Sequence, residues 1–196
     1  MKRLVFLGFV FLAIWAWRYQ PPARWRGMPA AKDPVQTAAP LPARFTAGDY
    51  TVTPLANYSI TAVVLGRERY RFDPSAKLSP VDLALGWGPM SVAGTINELR
   101  ISQGGRFYEY RWSDEPPLEV EQIVCHSANT HCLPADDHVR KDLLAVRRHE
   151  LVSLTGYLVQ VTNAQGWIWR SSLTRDDSGG GACEVLWVTG VSHRKL

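Results

Sequence analysis

The sequence predicts a mainly β, α+β domain with one or two short helices, closing as a small OB-like barrel; an antiparallel sandwich is the alternative. Three observations predict it. Residues 149–163, HELVSLTGYLVQVTN, read as one long strand with Gly156 in its middle, where a bulge or sharp coil fits. Turn chemistry at 163–166 and 176–181 then separates two further strands, GWIWRSSLTR and CEVLWVTGV, to make a meander. A helix precedes this meander, and earlier strands are available to complete closure.

The chain has 196 residues, 46% of them hydrophobic, enough for one core of ordinary size. Net charge is +4 with Lys and Arg dispersed, a mild bias towards anionic surfaces. No recognition motif for nucleic acid is present, so nucleic acid is not favoured as a partner.

Residues 1–19 read as a membrane anchor or signal-like segment. Lys2 and Arg3 precede an uninterrupted apolar run from Leu4 to Trp17, closed by Arg18 and Tyr19. As a helix that run rises about 21 Å, short of the roughly 30 Å of a bilayer core. Trp15, Trp17 and Tyr19 suit an interface, and no small-x-small cleavage site follows promptly, which favours retention as an anchor. Arg18, Arg24, Arg26 and Lys32 balance the charges ahead of the run, leaving the orientation open. Residues 20–44, rich in Pro and Ala without apolar periodicity, read as an extended tether. Residues 45–196 read as a single β-rich domain.

Within that domain, partial alternation over residues 45–72 predicts two or three short strands broken at Pro54 and Gly66. SPVDLALGWGPM predicts a two-turn helix, with Ser79 as N-cap, Pro80 at the first helical position and Asp82 at the capping-box spacing. Trp87, between glycines, reads as a core plug at a turn. Residues 95–112 read as strand, turn, strand. The ring run Tyr108, Tyr110 and Trp112 is then a core face, or alternatively a stacking face for single-stranded nucleic acid or glycan. LEVEQIV alternates and predicts a strand, and Asp136 with Asp137 opens a helix whose apolar face is Val139, Leu143 and Val146.

Between that strand and helix lies the densest polar constellation of the chain, Cys125, His126, Asn129, His131, Cys132, Asp136 and Asp137. Three readings compete for it. A zinc-like divalent metal finds suitable ligand types in His126 and His131, with the cysteines or an aspartate, though the spacing matches no standard knuckle. A metal-dependent hydrolase using this loop is the alternative function. A nucleophile at Cys125, Cys132 or Ser127 lacks any catalytic signature. A Cys125–Cys132 disulfide bracing a short loop is the natural use of two nearby cysteines in an oxidising compartment. No cofactor is required by any motif. Ser171, Ser172 and Arg175, ahead of a glycine run, form a candidate anion site without the strand-to-helix context of a phosphate loop.

LSPVDLALGWGPM, ISQGGRFYEYRW, the HSANTH loop and the ending from GYLVQ through GWIWRSSLTRDDSGGGACEVLWV resemble a group of bacterial proteins that carry an N-terminal membrane segment. The resemblance covers about the last two-thirds of the chain and implies no activity. It implies one exported or membrane-bound bacterial domain, and the segment at residues 1–19 leads to the expectation of a single-pass protein of the bacterial inner membrane with a periplasmic domain. With the anchor, the tether and the absence of a catalytic signature, this gives an envelope protein that acts as a binding or assembly module with a protein partner.

Overall fold

The computed structural model describes residues 22–196. In chain order the elements are β1 (Val35–Thr37), β2 (Phe45–Ala47), β3 (Tyr50–Arg69), β4 (Val81–Gly86), a 3-10 turn (Gly88–Ser91), α1 (Ala93–Glu98), β5 (Arg100–Gly104), β6 (Phe107–Arg111), α2 (Val120–Cys125), β7 (Ser127–Pro134), α3 (Asp137–Ala145), β8 (Glu150–Asn163), β9 (Ile168–Arg170) and β10 (Glu184–Lys195). The expected anchor at residues 1–19 lies outside the described residues. Among those residues, no helix is long and apolar enough to cross a membrane.

Five strands close in a ring: β3 pairs β4, β4 pairs β7, β7 pairs β10, β10 pairs β8, and β8 returns to β3. Only β7 and β10 run parallel; the other four pairings are antiparallel. With α3 between β7 and β8, this is the mainly β, α+β domain the sequence predicts, with a five-strand ring within its sheet. The sandwich does not form, because β3 is long enough to pair β8 over its first part and β4 over its last, so one sheet closes on itself.

Pro54 and Gly66, expected to break the early strands, instead mark register shifts inside a single 20-residue strand. A bulge bends a strand without ending it, and a ring this tight requires bends. The bulge expected at Gly156 lies instead on the neighbouring β10, between Val188 and Gly190, while at Gly156 an added Cβ would lie 1.9 Å from the Trp187 carbonyl oxygen.

Two expected elements exchange identity. Val81–Gly86, expected as a helix, is strand β4 with every residue buried. LEVEQIV, expected as a strand, is largely α2, in which Ile123 is the buried residue. A third helix, α1, precedes the β5–β6 hairpin where a strand was expected at Ile96. The predicted helix at Asp136 is present, with the Asp136 carboxylate accepting from the Val139 N–H at 2.8 Å.

The main core gathers Ile60, Val64, Leu83, Leu85, Leu154, Leu158 and Leu186 around Trp87, which is 1% exposed. A second cluster joins Val52, Leu133, Val159 and Val185 beneath Trp169 and Trp187. Alternation along β10 divides these, with Leu186 and Val188 in the first and Val185 in the second.

Part of the expected tether is docked. Asn97 holds Ala23 by two hydrogen bonds, donating to its carbonyl (3.0 Å) and accepting from its N–H (2.7 Å). The Trp25 indole N–H donates to the Ser91 carbonyl at 2.9 Å, and the Ala30 carbonyl accepts from Gly88 at 2.7 Å. Ala23 and Ala30 are buried. Residues 23–30 therefore lie as a strap across the 3-10 turn and α1.

Candidate functional site

Strand β4 is buried throughout yet carries one acid, Asp82, whose side chain is fully buried. A buried carboxylate must be paired and hydrogen-bonded, and each neighbouring element supplies a partner. Register pairs Asp82 with His131 on β7, and the His131 Nδ1 lies 2.9 Å from Asp82 Oδ2. Arg106, at the β5–β6 turn, donates to Asp82 Oδ1 at 2.8 Å and to both oxygens of Asp73 at 2.8 and 3.0 Å. Ser79 donates to Asp82 Oδ1 at 3.3 Å. The Ser79 and Asp82 pair, spaced like a helix cap, thus works inside a network that anchors a strand.

Arg106 also stacks 3.6 Å over the Tyr70 ring, and burial together with the Asp82 charge pushes the Tyr70 phenol up to about 12. Gly105 and Arg106 both have positive φ (57° and 70°), the backbone of a two-residue I′ turn. The hairpin is thereby pinned across the outer face of β4 and β7. The same face is bridged by Gln103, which donates to Asn129 (2.9 Å), and by Tyr108, which donates to Ser127 (3.3 Å).

The His131–Asp82 pair resembles half of a catalytic triad, but its surroundings are those of a brace. His131 is 3% exposed, with its ring 4.6 Å from that of Trp169. The nearby hydroxyl, Ser79, bonds the carboxylate and not the imidazole. A nucleophile within reach of the base is required for triad chemistry, and none is provided here among the described residues.

The Cys125–Asp137 constellation does not assemble. Expected on a loop, its centre is strand β7, which rises about 3.3 Å per residue and so spreads Ser127 and Cys132 roughly 16 Å apart. A disulfide needs Cα atoms about 4.4 to 6.8 Å apart, and Cys125, Cys132 and Cys183 are all free thiols. His126 caps the C-terminal end of α2, its Nδ1 2.8 Å from the Gln122 carbonyl, while His131 faces Asp82. Among the described residues, no three His, Cys, Asp or Glu side chains gather to hold a metal ion. Asp136 caps α3, Asp137 sits in its first turn, and Asn129 is buried, donating to the Arg106 carbonyl at 3.1 Å.

Ser171, Ser172 and Arg175 do come together, but with protein partners in place of an anion. Ser171 accepts from the Val185 N–H, Ser172 donates to Asp177 at 2.6 Å, and Arg175 pairs with the buried carboxylate of Glu184. Burial pushes Glu184 up to about 7, against the opposing pull of Arg175. The Tyr58 hydroxyl and the Thr130 hydroxyl are buried without partners, as is the second oxygen of Glu184. Register sets Thr130 directly opposite Glu184.

The rings of Tyr108, Tyr110 and Trp112 are half-buried and pack against the main core, as the core-face reading expects; Phe107 beside them is 53% exposed. Beside the hairpin tip, Phe107, Tyr108, Tyr110, Val124, Ala128 and Cys183 line a cleft of about 150 Å³. The glycine loop of residues 177–182 forms its far wall, and Asn129 and Asp177 supply polar edges. Burial pushes the Cys183 thiol up to about 11, so it contributes an apolar surface and not a nucleophile. Sequence reading missed the cleft, along with Asp73, Arg106 and Trp169, and took Asp82 only as part of a helix cap. The available signal was Asp82 itself, a lone charge inside an apolar run.

No family model, curated protein or solved structure matches this chain.

Proposed function

We propose that the chain is a membrane-anchored binding module of the bacterial envelope that receives one apolar side chain of a partner protein in the cleft beside the β5–β6 tip. The observation that carries this reading is the size of the cleft together with its lining. About 150 Å³ is the volume that admits a benzene-sized group, well below the roughly 300 to 1,000 Å³ of ordinary small-molecule sites. An aromatic-lined pocket of one side chain's size, beside an exposed Phe, has the character of a hot spot in a protein interface. The closed polar networks support the same reading, since their donors and acceptors are largely used within the fold. The basic pair Lys2 and Arg3 followed by the apolar run to Trp17 supports attachment at the inner membrane, and the signal-like order of that segment is the ground for placing the domain on the periplasmic side.

The test is an NMR titration of residues 22–196 with N-acetyl-phenylalaninamide. Saturable shifts at Phe107, Ala128, Ala182 and Cys183, lost in Ala182→Phe, are expected. The absence of saturable shifts at these residues up to the solubility of the probe would refute the reading.

A further inference from the structure

The strap determines how far the domain can stand from its attachment. Ala23 is pinned on both its backbone groups by Asn97, and the chain stays docked through Ala30. The apolar run ends at Trp17 and is closed by Arg18 and Tyr19, so four residue steps join Tyr19 to Ala23. At no more than about 3.6 Å per residue, they span at most about 14 Å. The interfacial layer on each side of a bilayer is itself roughly 5 to 8 Å thick. On the reading of residues 1–19 as a bilayer segment, on which this inference rests, Ala23 lies within or just beyond the headgroups.

The surface around Ala23 is suited to that position. Ala23 and Trp25 turn inward, so Arg24 and Arg26 between and beyond them are exposed, followed by Met28 at 44% exposure. Next to them α1 presents Gly94, Asn97 and Glu98 to the outside. Two guanidiniums beside an exposed thioether fit an anionic phospholipid surface, where Arg meets phosphate and an apolar side chain enters the interface.

We propose that the strap and α1 form the bilayer-facing surface of the domain, docked on anionic phospholipid headgroups through Arg24 and Arg26. The domain is then held in one orientation instead of swinging on a free tether.

The full chain, reconstituted into nanodiscs of phosphatidylcholine with phosphatidylglycerol, tests this. A fluorescent amino acid is placed at Gly94 on α1 or at Gly180 in the glycine loop, and quenching by headgroup-labelled nitroxide lipid is measured. Co-elution with the discs is read first. Strong quenching at Gly94 with little at Gly180 is expected. Arg24→Gln with Arg26→Gln should reduce the Gly94 quenching at least twofold, as should discs of phosphatidylcholine alone, and Asn97→Ala, which frees the strap, should reduce it while leaving co-elution unchanged. A chain that enters the discs with equal quenching at both sites overturns the orientation while leaving the anchor reading intact. A chain that does not enter the discs overturns both.

Discussion

Replacing Arg106 with Ala should be among the most destabilising single changes outside the apolar core. The substitution leaves the Asp82 carboxylate, whose side chain is fully buried, with only Ser79 and His131 as partners. Breaking a buried ion pair from one side costs about 3 to 5 kcal/mol, because the remaining charge is uncompensated, against a total stability of about 5 to 15 kcal/mol. The other branch of the fork is worth less: Asp73 is 32% exposed, so Asp73→Asn should cost no more than about 1 kcal/mol. Backbone conformation adds a second, separable effect. Arg106 sits at φ 70°, where a side chain costs roughly 1 to 2 kcal/mol relative to glycine. Arg106→Gly should therefore be about 1 kcal/mol more stable than Arg106→Ala despite removing more of the residue. Asp82→Asn added to Arg106→Ala should restore part of the loss, since the stranded charge is gone. Urea unfolding of residues 22–196 followed by tryptophan fluorescence measures all four. An Arg106→Ala protein within about 1 kcal/mol of the parent would refute the premise that Asp82 depends on this guanidinium.

Acid should affect stability through two opposed groups. Glu184, raised to about 7 from 4.5, contributes stability that is fully present below pH 4.5 and lost as pH rises through 7, on the order of 3 kcal/mol. His149, lowered to about 4 from 6.5 by burial and by Arg148, contributes stability present above pH 6.5 and lost as pH falls through 4. Between pH 7 and 4.5, Glu184→Gln should therefore lose stability on acidification and His149→Asn should gain it, which thermal melts across that window will show. Gly156→Ala, which drives a Cβ against the Trp187 carbonyl, should cost about 3 kcal/mol or more and lower the melting temperature accordingly. Thiol titration without reductant should find three free thiols after denaturation, with Cys132, fully buried and with its pKa raised well above the ordinary value, reacting only as fast as the native chain opens. A fragment beginning at Arg44 should melt lower than one beginning at Pro22, because it lacks the Ala23, Trp25 and Ala30 contacts.

Part of the ring was legible: β8, β10 and the Asp136 cap each point to their element through local chemistry. The expected meander does not form, because β9 and β10 pair different stretches of β8 and not each other. β4 was not legible. A short strand buried on both faces has no alternation, and VDLALG offers no periodicity to separate it from a buried helix. In LEVEQIV the alternation was real, but tertiary packing at Ile123 outweighed it. The constellation of cysteines and histidines misled because closeness in sequence was read as closeness in space. Once residues 127–134 are extended, neighbours in the chain become distant, and Asp82 and Arg106, from elsewhere, become the partners of His131.

The closure of the ring also orders its assembly in time. β7 finds its parallel neighbour in β10, about fifty residues later, and β3 is covered by β8 about a hundred residues later. Pairings of such separation form slowly, after the cost of closing long loops has been met. A chain delivered amino-terminus first thus holds β7 with an unpaired edge until β10 emerges. Glu184 opens that last strand, and its carboxylate leaves water only when the ring shuts, so a chain cut short before Glu184 would present to chaperones and proteases an open sheet and not a smaller domain.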